Sequence, residues 1–318
     1  KKNKVTLGLG MAAIGRPHYI NVRTNTVAKS NVSELKANGF KVLDEAYNLG
    51  VRYFDTAPGY GLAEQLLIDW LVDKNDSSIE VATKWGYTYV ANFDVNALVH
   101  EVKEHSISKL KEQWQVSKKL LPFLTTYQIH SATLETGVLE NKAVLNELAY
   151  LKSAFNLKMG ISTTGENQVE VIKKALDVTV DGKQLFDTFQ STYNILDQSV
   201  FNVGDTLKQE GKKLIIKEAL ANGRIFRNSN YPEHNELYTK LESLSKKYGV
   251  GVDAIALQFC DKTMPESIVL SGASTVAQLQ ENLKMDAFVL TNEELNQLKS
   301  LRVKPELYWN ERKQLRWN

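Results

Sequence analysis

Tyr53-Phe54-Asp55-Thr56-Ala57-Pro58-Gly59-Tyr60-Gly61 sets an acid and a phenol five residues apart, directly behind the apolar run Val51-Arg52-Tyr53-Phe54. The run reads as a buried strand and the Pro-Gly pair as a turn, which puts Asp55 at the strand's end and Tyr60 on the loop above it. Two later segments also close an apolar run with a polar residue: Ile79-Glu80-Val81-Ala82-Thr83-Lys84 and Thr126-Tyr127-Gln128-Ile129-His130. If these strands are parallel neighbours, Asp55, Tyr60, Lys84 and His130 converge on one face of one sheet.

The alternation extends in both directions. Upstream, a short strand over residues 5–9 ends in Gly8-Leu9-Gly10-Met11-Ala12-Ala13, small residues that let a ligand approach backbone. The loop at 15–30, with Arg16, His18, Tyr19 and Asn21, is long, polar and aromatic, which suits an active-site loop or a plain surface one. Apolar residues on one helical face predict a helix over 31–48, stopped by Gly50. Downstream, helices are predicted at 63–72, 95–113, 141–155, 166–177, 201–209, 234–248, 252–261 and 275–285. Strands are predicted between them at 79–83, 127–129, 158–162, 185–191, 213–217 and 267–271. Strand–helix pairs amounting to about eight point to one α/β domain over 1–318, a (β/α)8 TIM barrel rather than an open doubly wound sheet. Thr291-Asn292-Glu293-Glu294 reads as the N-cap and acidic first turn of an extra helix over 291–301. The tail at 302–318 carries Tyr308, Trp309 and Trp317 among charged residues, so it docks, either on the barrel's side or as a flap over the pocket.

Composition narrows the function. A chain of 318 residues with 43% hydrophobic content can bury a large core. The 39 basic and 37 acidic residues nearly cancel, which argues against a nucleic-acid partner. No apolar run is long enough to span a membrane. The single cysteine, Cys260, excludes an intramolecular disulfide and fits a cytoplasmic location, while the start at Lys1 rather than Met leaves a removed signal peptide open. Nothing in the sequence fixes an oligomeric state. The five histidines form no ligand-spaced pair, so no metal is expected.

Barrel enzymes carry their chemistry at the C-terminal strand ends, where Asp55, Lys84 and His130 are expected. A phenol titrates at about 10, and a neighbouring ammonium lowers that value. Lys84 would supply this charge, Asp55 would keep Lys84 protonated, and His130 would hydrogen-bond a carbonyl oxygen. The set suits reduction of an aldehyde or ketone with Tyr60 as proton donor, or the reverse oxidation.

The four residues resemble the catalytic tetrad of the aldo-keto reductases. Leu7-Gly8-Leu9-Gly10-Met11-Ala12, Gly160-Ile161-Ser162, Gln190-Ser191-Thr192-Tyr193-Asn194 and Ser271-Gly272-Ala273-Ser274-Thr275 are similar to further motifs of that family. The resemblance implies a nicotinamide cofactor held by Gly10, Met11, Ser162, Gln190, Lys217, Leu220, Gly272, Ser274, Thr275, Gln278 and Asn282. Within that set Ser162 and Gln190 would meet the carboxamide, the Leu220 loop the pyrophosphate, and Gln278 and Asn282 the adenine. It also implies a small carbonyl, alcohol or sugar substrate, for which Tyr19, Trp85, Tyr87, Tyr308 and Trp309 are the expected pocket walls. Lys217 stands where many members stack an aromatic ring on the nicotinamide, Thr163 replaces an Asn, and Ser131 an Asp. Ser274 and Thr275 stand where an Arg or Lys would meet the 2′-phosphate, so weak discrimination between NADP(H) and NAD(H) is expected. A non-catalytic, nucleotide-binding regulatory barrel is the alternative reading.

Overall fold

The computed structural model describes residues 5–22, 31–94 and 96–317; residues 1–4, 23–30, Val95 and Asn318, which include part of the predicted 15–30 loop, lie outside that description. Eight parallel strands close into a barrel in chain order. They are β1 (Leu7–Gly10), β2 (Tyr53–Asp55), β3 (Glu80–Trp85), β4 (Leu124–Ala132), β5 (Lys158–Thr163), β6 (Thr188–Thr192), β7 (Lys213–Lys217) and β8 (Ile268–Ser271). Strands covered on both faces often read as near-continuous apolar runs, as β7 and β8 do, whereas β4 and β6 carry buried polar residues such as Gln128 and Gln190. Tyr53, Ala82, Ile215 and Leu270 fill the barrel's floor, and the larger core lies between strands and helices.

The helices are α1 (Val32–Asn48), α2 (Ala63–Leu71), α3 (Ile107–Ser117), α4 (Lys142–Phe155), α5 (Gln168–Leu176), α6 (Phe201–Gln209), α7 (Asn235–Tyr248), α8 (Val252–Thr263), α9 (Val276–Leu283), α10 (Asn292–Lys299) and α11 (Pro305–Lys313). Side chains of Asn31, Ser106, Asn141, Thr275 and Thr291 cap five of their N-termini, each cap worth about 1 kcal/mol. At Thr291 the expected start is a full capping box with Glu294. Among the described residues no helix is long and apolar enough to cross a membrane.

Two stretches depart from the sequence reading. The helix predicted over 95–113 begins only at Ile107, where Ser106 accepts the Lys109 N–H. Ahead of it, Tyr87–Tyr89 and Glu101–Lys103 form an antiparallel hairpin, and Leu98, which a helix would have to bury, is 99% exposed. The strand predicted over 185–191 starts at Thr188. The chain before it turns through Asp181 and Gly182, both at positive φ, into a small hairpin of Thr179–Val180 with Lys183–Gln184, as an Asp-Gly pair favours.

Candidate active site

The barrel's register brings the predicted group together. Asp55 at the end of β2 pairs with Ala82 of β3, and Lys84 pairs with Gln128 of β4, two residues before His130. Tyr60 is fixed by a close backbone approach. A Cβ on Gly15 would lie 2.0 Å from the Tyr60 carbonyl oxygen, and one on Gly61, at φ +64°, would lie 2.3 Å from that of Gly15. Only glycine at both positions lets the first loop lie against the second. The Leu62 N–H donates to Gly15 O at 2.8 Å and holds that contact.

Lys84 is the hub. Its buried ammonium donates to Asp55 Oδ2, to the Tyr60 hydroxyl at 3.1 Å and to Thr56 O at 3.3 Å. The His130 ring stands edge-on to that of Tyr60, with centroids 5.4 Å apart. Burial lowers the Lys84 pKa, and Asp55 opposes it. Burial, then Lys84, Lys217 and Arg16, holds His130 well below the ordinary imidazole range, so the ring is neutral.

The expected lowering of the Tyr60 phenol is reversed. Burial, followed by the Asp55 charge, raises its pKa well above the ordinary value, and Arg16 only partly offsets this. The reason is that burial of the phenol, reinforced by the nearby carboxylate, outweighs the cation beside it. Tyr60 therefore holds its proton in this state.

Three contributors escape a reading of strand ends alone. Gln190 and Gln128 donate to Asp55 Oδ1 at 2.8 and 3.3 Å, so the carboxylate is fully engaged. Gln128 was findable, since alternation puts it on the same strand face as His130. Arg16 is 2% exposed; its guanidinium lies 5.2 Å from the Tyr60 ring centroid and pairs with Glu101 at 2.8 Å.

A cavity of about 540 Å3 opens from this group. Gly10, Met11, Gln190, Lys217, Leu220, Gly272, Ser274, Gln278 and Asn282 line it, as does Tyr19. Ser162 and Thr275 do not. The Ser162 hydroxyl accepts the Ser131 N–H at 2.8 Å, and Thr275 is the N-cap of α9. Asn282, though on the wall, is committed to Ser271 and Asp253 at 2.6 and 2.7 Å. Thr163 bonds to Ser191 at 2.7 Å.

The predicted substrate walls divide. Tyr87 packs on His130 with centroids 4.6 Å apart. Trp85 does not reach the cavity, because alternation along β3 turns it away from Lys84 and against His105. Tyr308 and Trp309 are corrected as well. Both are buried under the barrel wall, Tyr308 accepting from Asn194 at 3.0 Å and Trp309 donating to Asp197 at 3.0 Å. Trp317, further along the tail, stacks on His100 with centroids 4.4 Å apart and has the Arg16 guanidinium 4.6 Å from its ring centroid.

The residues present fit a dinucleotide. Among the described residues, nothing lies within 4 Å of where a Cβ on Gly272 would stand, and Asn222 on the same wall has a buried Oδ1 without a partner. A model of the aldo/keto reductase family matches residues 6–303. This chain belongs to the aldo/keto reductase family.

Curated relatives include the L-galactose dehydrogenase of Arabidopsis thaliana, 27% identical over 81% of this chain and 82% of that one. Norsolorinic acid reductase B of Dothistroma septosporum is 23% identical over 83% and 72%. Among solved structures, an aldo-keto reductase from Bacillus halodurans in its holo form superposes with a TM-score of 0.69 at 22% identity, covering 93% and 91% of the two chains. A glycerol dehydrogenase from Gluconobacter oxydans gives 0.69 at 20% identity, covering 94% and 91%. These structures share the barrel with this aldo/keto reductase.

Proposed function

We propose that this aldo/keto reductase interconverts an aldehyde or ketone, a sugar among them, and the matching alcohol, using NADP(H) or NAD(H). The observation that carries the reading is the buried Asp55–Lys84–Tyr60 chain, with Lys84 3.1 Å from the phenol oxygen, beside a neutral His130. The bound nicotinamide would supply or accept the hydride. Gly10, Met11, Gln190, Leu220 and Gly272 would hold it along the cavity.

The chain's own work is with protons and orientation. Tyr60, protonated and hydrogen-bonded to Lys84, gives its proton to the carbonyl oxygen as negative charge develops there, and takes it back in the oxidative direction. Lys84 then stabilises the phenolate left behind, since the ammonium strengthens its hydrogen bond to an anion. Asp55 keeps Lys84 charged against the cost of burial, and Gln128 and Gln190 hold the Asp55 carboxylate in place by donating to it. His130, neutral and donating, orients the carbonyl oxygen beside Tyr60. The names of the relatives, one an L-galactose dehydrogenase and one a glycerol dehydrogenase, support polyols and sugars as the first substrates to try.

The test is a panel of aldehydes, ketones, sugars and sugar alcohols with each cofactor, followed by absorbance of the reduced nicotinamide. Turnover of at least one carbonyl–alcohol pair is expected. Tight cofactor binding with no turnover anywhere in the panel would replace this reading with the regulatory barrel.

A further inference from the structure

His130 has to present its ring beside Tyr60, yet no hydrogen bond at its Nδ1 tilts that ring, since the nitrogen is buried without a partner among the described residues. Its aim is set by packing, edge-on to Tyr60 and to Tyr87, and by the backbone that carries it. That backbone is irregular. β4 and β5 are in register at Ile129 with Ile161 and again at Ala132 with Thr163, so β4 holds one extra residue in this interval. Ser131 takes it up at φ +52°, a left-handed conformation that costs a residue with a Cβ. A bulge takes main-chain groups out of the ladder, and buried ones need other partners. The Ser131 N–H finds the Ser162 hydroxyl at 2.8 Å. On the other side β3 ends at Trp85, in register with Ile129, and so stops one residue short of His130. There the His105 ring meets the His130 carbonyl oxygen, 2.8 Å from Nε2.

His105 is brought to that point by the end of the 87–103 hairpin, just before α3. The Glu104 N–H donates to Gly86 O at 2.8 Å. Gly86 itself turns at φ +116°, and a Cβ on it would lie 2.4 and 2.6 Å from His105 Cδ2 and Nε2. Only glycine at 86 lets the ring through. Trp85, turned away from the cavity, packs on the same ring with centroids 5.5 Å apart. Burial, followed by Lys103, brings His105 down to about 4 against the pull of the His130 carbonyl, so the ring is neutral at pH 7. A carbonyl only accepts, so the single proton sits on Nε2 and the buried, unpartnered Nδ1 is bare. We propose that His105 is the positioning residue for His130: its Nε2–H, given to the His130 main-chain carbonyl, holds the bulge that aims the imidazole at the substrate's carbonyl oxygen. This rests on the carbonyl-reductase reading above and adds to it a residue that does not line the cavity.

The test compares the wild type with His105→Met, which loses the donor, and His105→Gln, which keeps an amide donor at similar reach. Benzaldehyde is the probe, with saturating NADPH or NADH. His105→Met should lose kcat by about 10- to 100-fold, the scale of a small misplacement in an active site, with the cofactor's dissociation constant unchanged in a fluorescence titration. His105→Gln should recover most of that loss. In a His130→Gln background the same His105→Met change should cost almost nothing, because His105 acts through an imidazole that is no longer there. Full activity in His105→Met, a His105→Gln no better than His105→Met, or an equal loss in the His130→Gln background overturns the assignment. NMR of the histidine rings separates this idea from the reductase reading. In the wild type the His105 Nε2 proton should be observed and exchange slowly; a ring protonated at Nδ1 overturns the proposal even where no variant folds. His130 ring signals moved by His105→Met and restored by His105→Gln, with no carbonyl of the panel turned over, would keep the positioning role and remove the reductase. His130 signals that stay in place in His105→Met remove the positioning role whatever the activity.

Discussion

The wall formed by β2, β3 and β4 and the wall formed by β7 and the tail settle their charges in different ways. On the first, Lys84, Asp55, Gln128 and Tyr60 satisfy one another within the barrel. On the second, Glu218 is drawn outward to Arg312, 94 residues away in the chain, and Arg224 to Glu311, 87 residues away. A site whose partners all come from neighbouring strand ends is closed and self-sufficient. One whose ion pairs run to a distant helix depends on that helix staying docked.

The first wall is most sharply tested at its proton donor. Tyr60→Phe keeps the ring and its packing but removes the hydroxyl that Lys84 addresses at 3.1 Å. Turnover should fall by about 10²–10⁴-fold, the usual worth of general acid–base help. Cofactor affinity, read by fluorescence titration, should change little. Undiminished turnover, with chemistry limiting the rate, would break the proton-donor assignment.

The second wall is best broken through the tail. Trp309 is 2% exposed, and its indole N–H donates to buried Asp197 at 3.0 Å. Trp309→Ala should cost about 3–5 kcal/mol of unfolding free energy in a urea titration, from the ring's burial plus the cavity left behind. Deleting residues 304–318, which would raise substrate KM if the tail were a flap over the pocket, should first lower stability, because it unpairs Glu218 and Arg224 as well. A stable truncated protein with only a raised KM would return the tail to the role of a flap.

This contrast also explains what could be read from the sequence. Asp55, Lys84 and His130 announce themselves because each closes an apolar run, and parallel register then does the rest. The barrel follows from the same alternation. Gln128 obeys that rule two residues before His130 and could have been found. The Arg312–Glu218 and Trp309–Asp197 contacts could not, because nothing local marks partners separated by 94 and 112 residues. Nor could the orientation of Trp85 be weighed against its aromatic character without fixing which face of β3 Lys84 occupies. The hairpin at 87–103 was hidden by residues that tolerate a helix until Ser106 supplies the cap.

Behind the first wall, Glu64 tests how tightly its charge balance is kept. Burial pushes this carboxyl from 4.5 up to about 7, against the pull of the Thr83 and Ser117 hydroxyls and of Lys84. A neutral Glu64 leaves Asp55 as the only carboxylate that Lys84 must balance. Because the folded value lies above the unfolded one, stability from this group is fully present below pH 4.5 and is lost as the pH rises through about 7. The interval corresponds to about 3 kcal/mol. Glu64→Gln mimics the protonated form, so its unfolding free energy should fall less than the wild type's between pH 5 and 8. Parallel curves for the two proteins would mean that Glu64 is ionised in the fold.

The smallest expected effect lies at the far end of the cavity, where family resemblance places the adenosine. No Arg or Lys follows β8 directly; Ser274 and Thr275 occupy those positions. Ser274 is 2% exposed, and its N–H and hydroxyl both donate to Gln278 Oε1, at 2.9 and 3.2 Å. An Arg at 274 would have to break out of that turn, whereas Gln278 stands exposed on the cavity wall in the first turn of α9. Gln278→Arg should therefore shift preference toward NADP(H) by about 10- to 100-fold, the worth of a charge-assisted contact to a phosphate. Ser274→Arg should shift it less. Backbone N–H groups at the start of α9 already favour a phosphate, so the unmodified protein should use both cofactors. Titrating each reduced cofactor into the three proteins measures all of this. A wild type that prefers NADP(H) by more than about a thousandfold, some 4 kcal/mol, would require a basic partner from another part of the fold and would refute this account of the pocket's far end.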